Sequence, residues 1–160
     1  MPSFAITTPQ RNYEAIVERG ILARIGEFIP AGTGKVFVIT TEDVWQPHSF
    51  RLARGLAERS HEIVLFSGGE EHKRLRSVEW LAEEMVTRGG DRSSLVIAFG
   101  GGVVNDVAGF LAAVFMRGVP VLQVPTTLLA QVDAAIGGKT AVDVSKNRSL
   151  HWGLCKQDGP

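Results

Sequence analysis

Short, unbroken apolar runs alternate along the chain with segments whose apolar residues recur every three to four positions. Val36-Phe37-Val38-Ile39 is one such run. EIVLF at 62–66, LVIAF at 95–99 and the stretch 119–124 are three more. Runs this short, rich in β-branched residues and bounded by turn residues, predict strands. Runs without polar alternation predict strands covered on both faces. Between them the spacing becomes helical. Leu52, Ala53 and Leu56 predict a helix over 50–59. Val78, Leu81, Ala82, Met85 and Val86 predict one over 75–88, stopped by Gly89-Gly90. Further helices are expected over 104–115 and 128–135. Upstream, Ile21, Leu22, Ile25 and Phe28 suggest a helix over 20–29, and residues 3–17 two short strands. Strand and helix in alternation imply an α/β fold with a parallel sheet and crossover helices.

Composition narrows the function classes. Of 160 residues, 17 are Lys or Arg and 17 are Asp or Glu, so the net charge is zero. A nucleic-acid binder needs a basic excess or stripe, and none is evident. No apolar stretch reaches the length of a membrane span, and the first ten residues lack the pattern of a secretory leader. A cytoplasmic protein is expected. The lone cysteine, Cys155, leaves no disulfide framework and no multi-cysteine metal site. Glycine is the outlier, with 18 residues against a typical ~7%.

The glycines gather after strands. AFGGGVVNDVAGF, residues 98–110, puts three at the end of a buried run and the mouth of a helix. Helix N-termini offer unpaired N–H groups and partial positive charge, and glycine lets a phosphate approach the backbone. Asp106 is placed in the first turn, where a carboxylate caps N–H groups or accepts from a ribose hydroxyl. The bland alternative is a tight turn that needs glycine only for its dihedral angles. SGGEEHK at 67–73 follows another strand and supplies Glu70 and Lys73, although taken alone a solvated loop that starts a helix explains it better. VPTTLLAQVD at 124–133 follows a third and supplies Thr126 and Thr127, which suit helix capping. IGGKT at 136–140 is not a P-loop, because Asp133 stands where that motif has its first glycine. Three such turns on parallel strands converge on one sheet edge.

From Ala98 to Val144 the chain resembles the 3-dehydroquinate synthase family. GGGVVND is similar to the family's GGGVVGD, and FMRGVPVLQVPTTLLAQVDAAIGGKTAVD follows it almost residue for residue. The resemblance implies a Rossmann-like nucleotide-binding N-terminal half and a helical, metal-binding C-terminal half. It implies NAD and a divalent metal, zinc or cobalt, as cofactors. The substrate would be a sugar acid phosphate, cyclised to 3-dehydroquinate with loss of phosphate, and the enzyme a homodimer. Glu70, Lys73, Gly101, Gly102, Val103, Val104, Asn105, Asp106, Thr126, Thr127, Lys139 and Lys146 would contact the nucleotide. Asp133 and Lys139 would be polar residues at the reacting centre. Arg117 would reach a substrate phosphate across the dimer interface.

The chain departs from the family in two places. Asn105 replaces a glycine, which puts a side chain where the pyrophosphate is expected. After Val144 the text SKNRSLHWGLCKQDGP leaves the pattern. A one-base shift turns codons for His151-Trp152-Gly153-Leu154 into Ile-Gly-Ala-Phe, the family's own segment. A frameshift near Ser145 is therefore expected, giving a domain over 1–144 and an aberrant tail over 145–160. The family's metal ligands have no counterpart among His48, His61, His72 and His151, so no turnover is expected from this chain alone. Competing readings are another sugar-phosphate cyclase, a metal-dependent glycerol or alcohol dehydrogenase, and a non-catalytic NAD-binding fragment.

Overall fold

Four parallel strands form the centre of the computed structural model, which describes residues 3–7, 12–136, 139–145 and 148–153. Two short antiparallel strands come first, β1 (Ser3–Thr7) and β2 (Asn12–Ile16). A 3-10 helix follows at Ile21–Phe28. The main unit then runs β3 (Val36–Thr40), α1 (Glu42–Gly55), β4 (His61–Leu65), α2 (Leu75–Thr87), β5 (Leu95–Gly100), α3 (Gly102–Val114) and β6 (Val121–Pro125). An antiparallel pair closes the described chain, β7 (Lys139–Ser145) and β8 (Arg148–Gly153).

Strand order is β4-β3-β5-β6, with Val36 opposite both His61 and Leu95. The chain winds outward from β3 to β4, then crosses back to the other side of β3. The reversal leaves a crevice between the C-terminal ends of β3 and β5. Ligands of open parallel sheets bind at such a switch point.

Every residue of β3 and β5 is buried, because helices cover both faces. Phe37, Ile39, Val96 and Ala98 pack against Val78, Leu81 and Met85 of α2 and Val107 and Leu111 of α3. Val36, Val38, Leu95, Ile97 and Phe99 pack against Ile25, Leu52 and Leu56 on the opposite side. The period of two along each strand therefore divides one continuous apolar run between two cores.

Several boundaries differ from the sequence expectation. The expected helix over 50–59 is α1, which begins eight residues earlier. Thr41 enters in extended geometry, and Glu42 and Asp43 in the first turn complement the helix dipole. Pro47 is tolerated inside it. The expected helix over 104–115 starts at Gly102, so Asp106 lies beyond the first turn and caps nothing there. The last expected helix runs over 128–134 and is π-helical from Ala130 to Ala134. α2 ends as anticipated: Gly89 has φ +82°, and the Gly90 N–H donates back to the Met85 carbonyl at 2.7 Å. No described helix is long and apolar enough to cross a membrane.

Candidate functional site

The three glycines after β5 have different structural reasons. At Gly100 a Cβ would lie 2.7 Å from two carbons of the Val104 side chain, so packing alone demands glycine. Gly101 has φ −73° and ψ −170°, open to any residue, and a Cβ there would meet Thr127 at an ordinary 3.5 Å. At Gly102 a Cβ would lie 3.8 Å from that of Ala134. The chain's own packing and dihedrals thus require one glycine of the three. The other two leave the backbone at the mouth of α3 bare beside the switch crevice.

Asn105 turns inward beneath this turn. It is fully buried, and its Nδ2 donates to the carbonyls of Gly100 at 2.8 Å and Gly101 at 2.9 Å. One amide therefore ties the end of β5 to the start of α3. The side chain lies under the turn and not over it, contrary to the sequence expectation. Its Oδ1 is buried without a partner. Its backbone N–H is spent on the Gly101 carbonyl. Asn105→Asp would turn carboxylate oxygens toward two carbonyls. A loss of about 2–3 kcal/mol is expected by urea denaturation, from an unpaired buried polar group plus repulsion. A cost under half a kcal/mol would show that the tie contributes nothing.

Asp106 faces the loop after β4. Its Oδ2 lies 2.6 Å from Lys73 Nζ, and both side chains keep under a fifth of their surface exposed. Glu70 lies 3.9 Å from the same ammonium. Burial works against the charged Lys73, but the hydrogen bond and charge of Asp106, with Glu70 and Asp143, outweigh it and hold the pKa above its usual 10.5. Burial also pushes the Asp106 carboxyl up, with Glu70 and Asp133 acting the same way against the pull of Lys73. A raised lysine pKa stabilises the fold fully below 10.5 and loses that effect as pH rises through the folded value. The stability advantage of wild type over Lys73→Met should therefore be constant near pH 8 and shrink above pH 10.5. Melting curves across that range check it, and an advantage that persists undiminished at the alkaline end would contradict it.

Local contacts and one bond from β7 hold this loop. His72 Nδ1 sits 2.6 Å from the Gly68 carbonyl, Ser77 Oγ donates to the His72 carbonyl at 2.7 Å, and the His72 ring meets Phe66 edge-on. From β7, the Asp143 N–H donates to the Lys73 carbonyl at 2.8 Å. Sequence reasoning missed Ser77, whose hydroxyl reads as an ordinary helix residue, and Asp143, whose partner lies seventy residues away and becomes a neighbour only on folding.

The remaining candidates divide into two groups. Thr126 donates its N–H to the Gly100 carbonyl, and Thr127 Oγ1 accepts from the Ala130 N–H while lying beside Gly101. Asp133 is exposed on the same turn, close enough to raise the Asp106 pKa. Glu70, Lys73, Gly101, Gly102, Asp106, Thr126, Thr127 and Asp133 thus share one edge of the sheet. Val103 is half-buried, and Val104 is buried beneath Gly100. Lys139 opens β7, which packs against α3. Lys146 lies outside the described residues. Arg117 is elsewhere: the 13 residues of α3 separate it from the glycine turn, about 20 Å at helical rise. It sits in a left-handed corner, with φ of 48° at Met116, 75° at Arg117 and 106° at Gly118. Among the described residues no three His, Cys, Asp or Glu side chains gather as a metal site.

The comparisons with known proteins agree on this region. A family model described as 3-dehydroquinate synthase N-terminal matches residues 63–152, which run from within β4 to within β8 and include the turns after β4, β5 and β6. The chain belongs to the 3-dehydroquinate synthase family. A 3-dehydroquinate synthase of Solibacter usitatus is 61% identical over 150 residues, covering 94% of this chain and 42% of that protein. One from Koribacter versatilis is 43% identical, covering 91% and 41%. The chain thus spans about two-fifths of the length of these curated relatives. Among solved structures, 2-deoxy-scyllo-inosose synthase complexed with carbaglucose-6-phosphate, NAD+ and Co2+ has a TM-score of 0.84 at 27% identity. It covers 96% of this chain and 44% of that one. A 2-epi-5-epi-valiolone synthase from Streptomyces hygroscopicus with NAD+ and Zn2+ bound has a TM-score of 0.75 at 28% identity, covering 89% and 40%. A glycerol dehydrogenase from Schizosaccharomyces pombe, at 18% identity, shares the fold. The family and the α/β fold expected from the glycine turn and its flanks are those found.

Proposed function

We propose that the crevice between β3 and β5 binds NAD, and that the chain is the nucleotide-binding portion of a 3-dehydroquinate synthase. The observation that carries this is the pair of glycines, Gly101 and Gly102, whose absent side chains the protein's own packing does not explain. A pyrophosphate seated there would meet the N–H groups at the start of α3 and the favourable end of its dipole. Glu70 and Asp106 would accept from ribose hydroxyls, with Lys73 fixing the orientation of Asp106. Thr127 would flank the pyrophosphate from the β6 side.

NAD, when bound, supplies reversible oxidation of a substrate hydroxyl. The chain's residues supply binding and orientation, and the exposed Asp133 stands at the rim for polar contact with a substrate. Arg117 cannot serve the same copy's crevice from the far end of α3. Its role fits a homodimer in which a guanidinium from one copy takes the substrate phosphate of the other. The described residues do not fit a divalent metal site. We assign the substrate to the sugar acid phosphate of the dehydroquinate branch, because identity reaches 61% there against 27–28% for the other two cyclases.

Calorimetric titration of the purified chain with NAD tests the reading. One binding event per chain, at micromolar to sub-millimolar affinity, is expected. Silence up to millimolar NAD would overturn nucleotide binding by this chain.

A further inference from the structure

The glycine crevice leaves unexplained a second polar concavity on the opposite face of the sheet. Arg19, Gly20, Ala23, Phe50, Arg51 and Arg54 line an open groove of about 680 Å³ between the 3-10 helix Ile21–Phe28 and the second half of α1. We propose that this groove binds a small, multiply charged phosphate compound through the guanidinium groups of Arg19, Arg51 and Arg54.

Three features support it. First, none of the three guanidinium groups has an ion-pair or hydrogen-bond partner among the described residues, in a chain whose formal charges cancel. The acids at the ends of the 3-10 helix turn to Arg24, although Glu18 Oε2 stays buried without a partner among the described residues. Glu18 and Glu27 both pair with Arg24, at 3.3 and 2.8 Å. Like charges crowded without an acid are repulsive, and the fold holds them together anyway. Gly26 and Gly55 bring the two helices into backbone contact: a Cβ at Gly26 would lie 2.6 Å from the Gly55 carbonyl oxygen, and one at Gly55 2.3 Å from that of Leu22.

Second, the 3-10 helix begins at the groove. Gly20 has φ +82° and provides no side-chain cap, and it lines the groove together with Ala23, which places the positive end of the helix dipole beside that space. Guanidinium forks and backbone N–H groups together match phosphate oxygens. Third, Phe50 is 79% exposed, which leaves its ring free to lie against a planar group. The groove is not part of the crevice. Thr41, at the start of α1, packs against the β4 loop at the C-terminal sheet edge, and Arg54 is in the last turn of α1, about 20 Å further along.

Titration of the chain with tripolyphosphate and with ATP, read by calorimetry at low salt, tests this. Both should bind, and Arg51→Ala/Arg54→Ala should weaken both by about tenfold or more while the melting temperature stays constant. The exposed Arg92→Ala, away from the groove, should change neither. Phe50→Ala distinguishes the sources. Weaker binding of ATP alone marks a nucleotide, and no difference marks the phosphate group itself. Absence of binding below about 1 mM, or an equal loss in Arg92→Ala, would overturn the proposal.

Discussion

Lys73→Met should be among the most damaging single substitutions in the chain. It would leave Asp106 largely buried with no counter-charge, since Lys73 Nζ at 2.6 Å is its one ion-pair partner among the described residues. Breaking a fully buried pair costs about 3–5 kcal/mol, and the residual exposure of both groups reduces this to about 2–3. In a domain of this size that is about 5–10 °C in melting temperature. The double variant Lys73→Met/Asp106→Leu should recover most of the loss, because an apolar pair carries no desolvation cost. Urea denaturation of the two single variants and the double variant gives the coupling. A coupling under half a kcal/mol would mean the pair is solvent-screened and does not hold the β4 loop to α3.

The second large effect separates folding from binding within three adjacent residues. Gly100→Ala should destabilise by about 1–3 kcal/mol, as overpacking does, because its Cβ would sit 2.7 Å from Val104. Gly102→Ala should leave stability unchanged or raise it by up to about 1 kcal/mol, the usual gain of alanine over glycine in a helix. Yet Gly101→Ala and Gly102→Ala should each weaken NAD by about tenfold or more, because a methyl would occupy the space of a phosphate oxygen. Paired melting curves and NAD titrations read both quantities on the same preparations. NAD affinity within twofold of wild type in both variants would place the nucleotide elsewhere.

Much of this was legible in the sequence. VFVI and LVIAF read as strands because sheets covered on both faces leave no polar positions, and the parallel order made their C-terminal loops converge. The start of α1 was not legible. Glu42, Asp43, Gln46 and Pro47 are exposed and carry no apolar spacing, so the visible helical pattern began only near Leu52. The Lys73–Asp106 pair was hidden as well, since each residue alone reads as a ligand contact and only the packing of the β4 loop on α3 joins them. Asn105 was misplaced for a related reason. Measured against a family glycine it read as an obstruction, whereas the helix begins early enough to rotate it inward. β7 and β8 follow the last clear turn signal, and their pairing rests on register that no local pattern announced.

The amide of Asn105 has one more effect. By clamping the two carbonyls that flank the bend, it sets the shape of the turn proposed to hold the pyrophosphate before any ligand arrives. Association then carries little entropy loss from ordering the backbone. Capture of a cosubstrate should accordingly be fast, with a bound state whose main chain superimposes on the free one.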